Sequence, residues 1–257
     1  MYKIDYTQVI DIVKAARPFF TDYEAASHIH VKGLSDYVTD VDFQVQSYFQ
    51  QKLVELYPEI QFMGEEKDNG DIDFSGSFWI LDPVDGTTNL IHHFRHSAVS
   101  LALVLDGSLT AGIVYDPYAD ELFFAEKGRG SFRNGSLIHV SANQTLQDSL
   151  ISIGTAPYQH EYARKNFEAF REIFLRCQDI RRIGSAAIDL AYVACGRTDA
   201  FFEMNLKPWD FAAGILLVRE AGGTATDYKG SPLPLDRPAS MLATNGFLHR
   251  ELMELLA

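Results

Sequence analysis

The apolar run Phe78–Leu81 ends in Asp82-Pro83-Val84-Asp85-Gly86-Thr87-Thr88, and this junction restricts the chain more than any other stretch. Four apolar residues suit a short strand. Pro83 has no N–H and cannot continue a β-ladder, so a strand must end or deform there. Asp85 follows after a tight reversal, and Gly86 permits close backbone approach. Thr87 and Thr88 stand where a helix can begin. A helix start offers unpaired N–H groups and a positive dipole end, which suits phosphate. Two carboxylates three residues apart beside such a cradle are able to hold hard cations and a phosphate together. The same residues also satisfy a plain turn, because Asp, Pro and Gly are turn formers.

Acidic residues elsewhere shift the balance towards a metal site. Gly64-Glu65-Glu66 follows the apolar Ile60–Met63, so Glu65 also stands at a strand end. Trp209-Asp210 opens a helix much further along. Glu65, Asp82, Asp85 and Asp210 brought together repel one another, and divalent cations relieve that cost. Phosphate monoester hydrolysis gives such cations a task. It is among the slowest uncatalysed reactions, with enzymatic accelerations of up to about 10²¹-fold. A general base supplies only about 10²–10⁴, whereas divalent ions stabilise the attacking and leaving oxygens.

Charge and composition exclude other classes. Lys plus Arg number 22 against 35 Asp plus Glu, a formal charge of −13. Nucleic-acid binders need a basic face, so none is expected as a direct partner, and an anionic membrane surface is disfavoured. Apolar runs such as Ala98–Leu105 are too short to span a bilayer. The two cysteines, Cys177 and Cys195, suggest neither a disulfide framework nor a zinc site. With no signal pattern at Met1–Tyr6, a reducing cytoplasm is the expected location.

Helices and strands alternate along all 257 residues, so a layered α/β or α+β sandwich is expected rather than a bundle or barrel. Val9, Ile10, Val13 and Phe20 predict an amphipathic helix over about 5–24. A second is expected from Thr39, with Asp42 as its capping-box partner, to Tyr57-Pro58. Strands are expected at Ser97–Leu105 and Leu109–Tyr115 around the hairpin signal Asp106-Gly107, then at Leu122–Ala125, with a further turn at Asn134-Gly135. The back half predicts strands at Ser149–Ile153, Ile180–Ile183 and Ala200–Phe202. Its helices are expected at about 160–175, from Gly184-Ser185-Ala186 to Cys195, and at Phe211–Glu220. One domain is expected, with a front lobe of about 1–145 and a back lobe of about 146–257.

These pieces together resemble the inositol monophosphatase family. The resemblance rests on Gly64-Glu65-Glu66, Asp82–Thr88, Gly184-Ser185-Ala186-Ala187, Trp209-Asp210 with Ala212-Ala213-Gly214, and Glu220-Ala221-Gly222-Gly223, in the family's order and at similar spacing. It implies a layered αβαβα sandwich, of the inositol monophosphatase and fructose-1,6-bisphosphatase type. It also implies Mg²⁺-dependent hydrolysis of a small phosphomonoester, foremost inositol monophosphate, by in-line attack of a metal-activated water. Carried over by position, Glu65, Asp82 and the Val84 carbonyl hold a first magnesium. Asp82, Asp85 and Asp210 hold a second, and Glu65 assists a weaker third. Mn²⁺ is an alternative metal and Li⁺ an expected inhibitor. Phosphate lies on the N–H groups of Gly86, Thr87 and Thr88. Thr87, oriented by Asp42 of Val38-Thr39-Asp40-Val41-Asp42, helps deprotonate the water. Ser185, Ala186 and Glu203, with Asp85 and Asp210, face the substrate, and Lys32 sits on a mobile loop. The resemblance also implies a homodimer. It leaves open fructose 1,6-bisphosphate, histidinol phosphate, NADP or 3′-phosphoadenosine 5′-phosphate as substrates, and a regulatory binding protein that retains the fold.

Other candidates read as structural. His92, His93 and His96 lack the HExxH spacing and are expected to pack or face solvent. Arg181 and Arg182 suit either a second phosphate or a solvated pair. Gly128-Arg129-Gly130 reads as a turn, Cys195 as a core residue, and Trp79 and Trp209 as supports beside the ligand carboxylates.

Overall fold

The structure, a computed structural model, describes residues 3–256. The amphipathic stretch at its start is not one helix. Helix α1 spans Tyr6–Ala15, a 3₁₀ turn follows at Arg17–Thr21, and α2 spans Tyr23–Ser27. Pro18 causes the break, since it lacks the N–H and clashes with the preceding turn. Strands β1 (Ile29–Gly33) and β2 (Asp36–Thr39) then pair as an antiparallel hairpin. Helix α3, Asp40–Leu56, starts and stops where Thr39 and Tyr57-Pro58 predict. The Asp42 carboxylate accepts the Thr39 N–H at 2.8 Å, as a capping box requires.

Seven strands follow: β3 (Gln61–Gly64), β4 (Phe78–Asp85), β5 (Ala98–Leu105), β6 (Ser108–Asp116), β7 (Glu121–Glu126), β8 (Gly130–Arg133) and β9 (Ser136–Ile138). They form one sheet in sequence order, parallel only between β3 and β4. Asp106 and Gly107 have φ of 49° and 70°, and Asn134 and Gly135 of 47° and 81°. Two successive positive φ values are what a tight two-residue hairpin needs. The strand at Phe78 does not stop at Asp82. It runs to Asp85, and its register with β5 shifts between Asp82 and Asp85, so Pro83 sits in a bulge. A short helix, α4 (Thr87–Ile91), follows.

The second sheet has the order β11-β10-β12-β14-β13. Its strands are β10 (Leu150–Ile153), β11 (Asp179–Arg181), β12 (Ala200–Leu206), β13 (Thr224–Asp227) and β14 (Ala239–Thr244). The helices between and after them are α5 (Ala163–Phe174), α6 (Ala186–Ala194), α7 (Pro208–Glu220) and α8 (His249–Leu256). The strand expected at Ile180–Ile183 is shorter, because Gly184 at φ 91° already turns the chain into α6.

Burial sorts the elements into layers. Trp79 and Leu81 of β4 pack with Val9 of α1 and Val45 and Phe49 of α3. Phe78 and Ile80, on the opposite face, pack with Leu190 of α6 and Phe211 of α7. That alternation is the period of two of a strand buried on both faces. The same α6–α7 layer covers Phe201, Met241 and Ala243 of the second sheet. The far face of that sheet packs Phe170 and Ile173 of α5 and Leu252 and Leu256 of α8. The result is an αβαβα sandwich. Gly112 of β6 lets α7 lie close, since a Cβ there would stand 2.6 Å from the Ala213 carbonyl oxygen. Among the described residues no helix is long and apolar enough to cross a membrane.

Candidate active site

A cavity of about 570 Å³ lies where β4 bends, and chain segments far apart in sequence line it. Glu65 reaches it just past β3, and Asp82, Val84 and Asp85 from the bulge of β4. Gly86, Thr87 and Thr88 come from the start of α4, Ser185 and Ala186 from the start of α6, Glu203 from β12, Asp210 from the first turn of α7, and Lys32 from the β1–β2 hairpin. Asp42 stands outside the lining, behind Thr87.

The bulge explains how residues so near in sequence point inward together. The Val84 N–H donates to Asp82 Oδ1 at 3.0 Å and turns the chain back on itself. Gly86 has φ of 98°, and a Cβ there would stand 3.0 Å from the carbonyl oxygens of Gly184 and His96, so only glycine fits. The Thr87 hydroxyl lies 2.9 Å from Asp42 Oδ1 and 3.1 Å from the Val84 carbonyl oxygen. Asp42 Oδ2 is already occupied by the Thr39 N–H and hydroxyl. Asp42 therefore has a single orientation, with Oδ1 aimed at Thr87.

The other carboxylates are held by one edge. Asp85 Oδ2 accepts the Ser185 hydroxyl and the Ala187 N–H, both at 2.6 Å. Asp210 Oδ2 accepts the Lys207 N–H at 2.7 Å. Glu65 and Asp82, and Asp82 and Asp210, stand within hydrogen-bonding reach of each other. Burial, then the neighbouring carboxylates, push the pKa of Glu65 and Asp82 well above the usual carboxylate range, and Asp210 follows for the same reasons. Asp85 is pushed up only to about 6, because hydrogen bonds from Ser185 and Ala187 offset its burial. Burial also raises Asp42, against the hydrogen bonds from Thr39 and Thr87.

Acidic oxygens this close repel unless a proton or a cation lies between them. The donor set is all oxygen, and each aspartate anchors one oxygen on protein N–H or O–H groups. These features fit a hard divalent cation such as magnesium. Among the described residues no group of three or more acidic, imidazole or thiol side chains is placed to hold a metal ion by itself. A magnesium bound here would take the rest of its shell from water, a backbone carbonyl and ligand oxygens, as is usual for that ion.

Lys32 forms an ion pair with Glu66 and lies 3.9 Å from Glu65. Burial opposes its charge, but Glu65 and Glu66 outweigh this and hold its pKa above the ordinary lysine range. None of His92, His93 and His96 lines the cavity, and the His96 ring packs on Phe94. Arg181 pairs with Asp179, while Arg182 lines the cavity and donates to Thr155 Oγ1 at 3.1 Å. The Gly128 and Gly130 N–H groups donate to Glu220, which ties the β7–β8 turn to α7.

The profile of the inositol monophosphatase family matches residues 1–257. The chain belongs to that family. It is 37% identical over 247 residues to the Inositol-1-monophosphatase of Rhizobium meliloti, covering 95% of this chain and 92% of that one. It is 41% identical over 207 residues to the Nus factor SuhB of Xylella fastidiosa, with 80% and 74% covered. The solved extragenic suppressor protein suhB of Bartonella henselae superposes with a TM-score of 0.89 at 36% identity, covering 96% of both chains.

Lining residues of this inositol monophosphatase family member that have no role in the expectations above include Asp189 and Gly154. Asp189 is the sole acid in the apolar helix α6 and is 1% exposed, a combination legible as unusual. Gly154 lies just past β10 and carries no sequence signal that separates it from other loop residues. Arg182, which suited either a second phosphate or a solvated pair, stands at the cavity.

Proposed function

We propose that the chain is a Mg²⁺-dependent phosphomonoesterase acting on a small phosphorylated polyol, with inositol monophosphate as the reference substrate. The observation that carries the reading is the convergence of Glu65, Asp82, Asp85 and Asp210 on one cavity beside Thr87 and its buried partner Asp42. Family membership supports it.

Glu65, Asp82 and the Val84 carbonyl would hold one magnesium, and Asp82, Asp85 and Asp210 another. When bound, the metal neutralises phosphate charge and lowers the pKa of a coordinated water. The remaining work falls to the chain. The N–H groups of Thr87 and Thr88, in the first turn of α4, have no intrahelical acceptor and are free for phosphate oxygens. Thr87 Oγ1 passes its proton to Asp42 and takes one from the attacking water. The water oxygen bonds to phosphorus, the bond from phosphorus to the alcohol oxygen breaks, and the alcohol leaves with a proton from solvent. The raised basicity of Asp42 suits that acceptor role. Glu203, Ser185 and Ala186 face the alcohol half, and Lys32 shields the site as its hairpin closes.

Release of inorganic phosphate by the purified chain, with and without Mg²⁺, against an Asp210→Asn variant, tests the reading. Mg²⁺-dependent release that the variant lacks supports it. Equal traces from both proteins would overturn it. A second, binding role is favoured by the Nus factor name of one relative. It predicts a protein complex that survives Asp210→Asn.

A further inference from the structure

The rest of the cavity lining is rich in acceptors. Beyond the candidate metal ligands, Asp189 and Glu203 line it, and Arg182 adds a positive charge that both carboxyls feel. Asp189 Oδ1 is buried without a hydrogen-bond partner. Such a wall suits a ligand with several O–H donors, because hydroxyl hydrogens satisfy carboxylates and a purely aromatic leaving group does not.

The position of Glu203 depends on a missing side chain. Glu203 comes from β12, and its Oε1 accepts the Ala156 N–H at 2.9 Å. Its carboxylate then lies across the end of the neighbouring parallel strand β10. A Cβ on Gly154 would stand 2.0 Å from Glu203 Cδ and 2.0 Å from Oε2. No Cβ tolerates that approach. Gly154 has no left-handed φ that would itself demand glycine, so space alone requires it here. The atom in the way is the far end of a flexible chain, so an added methyl displaces the carboxylate and leaves the backbone. The Gly154 N–H bond to the Phe202 carbonyl, at 2.9 Å, is compatible with alanine.

We infer that Gly154 is a positioning residue for substrate choice: by leaving the space in which the Glu203 carboxylate lies, it lets the pocket read the hydroxyls of a phosphorylated polyol. The inference rests on the phosphomonoesterase reading above and extends it to the residue that seats the selective carboxylate.

The test compares wild type, Gly154→Ala, Glu203→Ala and the double variant on myo-inositol 1-phosphate and on phenyl phosphate, which has no free hydroxyl on its leaving group. Gly154→Ala is expected to raise KM for the inositol ester about tenfold or more, with kcat for it and both constants for phenyl phosphate changed by less than about threefold. Glu203 Cγ would also stand 2.5 Å from the new methyl, so the two side chains compete for one space, and Gly154→Ala is expected to change the preference of a Glu203→Ala protein less than about twofold. Equal losses on both substrates, or an unchanged preference, would overturn the inference. So would a Gly154→Ala protein that fails to fold by circular dichroism, since the methyl should move only a side chain. If wild type hydrolyses neither ester with Mg²⁺, the phosphomonoesterase reading fails separately. Calorimetric binding of myo-inositol 1-phosphate then decides the inference. Binding about tenfold weaker in Gly154→Ala sustains it. Equal binding, or none by wild type, ends it.

Discussion

At the scale of single residues, the site stores repulsion. Glu65, Asp82 and Asp210 are buried against one another, and their pKa values stand well above the usual range. Removing one charge should relieve strain while removing function. Asp82→Asn and Glu65→Gln are therefore expected to lower turnover at least about 100-fold, yet to melt no lower than wild type in chelator. Magnesium should raise the melting temperature of wild type and much less that of either variant, by ligand linkage. A variant with near-normal turnover at saturating Mg²⁺ would remove the metal assignment. Thr87→Ala should lower kcat by about 10²–10⁴ with little change in KM, since its proposed role is on the water in the transition state. A pure KM effect would leave Thr87 a binding group only. Glu203 offers a test by pH, since burial pushes its carboxyl up to about 7. Its folded pKa exceeds the ordinary value of 4.5, so the folded chain binds more protons than the unfolded one between these limits. The contribution of Glu203 to stability should fall as pH rises from about 4.5 to about 7, by roughly 3 kcal/mol, and then level off. Glu203→Gln in metal-free buffer should match wild type near pH 4 and exceed it at pH 8. Denaturant midpoints at the two pH values check this.

At the scale of elements, close approach matters more than propensity. Helix α7 carries Asp210 and must lie on β6 for that carboxylate to meet Asp82. Gly112 makes the approach possible, because a Cβ would clash with the backbone of Ala213 rather than with a movable side chain. Gly112→Ala is expected to destabilise the chain by about 1–3 kcal/mol, as overpacking commonly does, and to weaken magnesium binding by shifting Asp210. Unfolding in urea and metal titration would read the two effects separately. The elements legible in the sequence were those with strong local signals. Thr39 with Asp42 marked the start of α3, and Asp106-Gly107 marked the β5–β6 turn. Where the local signal conflicted with itself it misled, as at 5–24, where an amphipathic pattern runs through Pro18. Strand β14, Ala239–Thr244, lies between β12 and β13 and is mostly small residues. Its neighbours rather than its own alternation make it a strand.

At the scale of the whole molecule, the α6–α7 layer is shared by both sheets. Leu190 and Phe211 belong to the same buried cluster as Phe78 and Ile80 of the first sheet and Phe201 and Met241 of the second. We propose that the chain is one cooperative unit on this account, with the cavity at the seam between its halves. Thermal unfolding should show one transition with equal calorimetric and van't Hoff enthalpies. Two separable transitions, one for about 1–145 and one for about 146–257, would refute it.

The sequence by itself determined the acidic make-up of the site. Its carboxylates stand at strand and helix ends, where the backbone fixes their direction, and the Asp-Pro-Val-Asp-Gly-Thr-Thr junction constrains its own geometry through Pro83 and Gly86. Tertiary structure alone decided what these carboxylates meet in the cavity. Glu203, Asp189 and Gly154 lie on three elements whose meeting depends on sheet order, and the vacancy at Gly154 has meaning only once β12 is laid beside β10. Local chemistry travels with the chain, whereas a space between two strands belongs to neither of them.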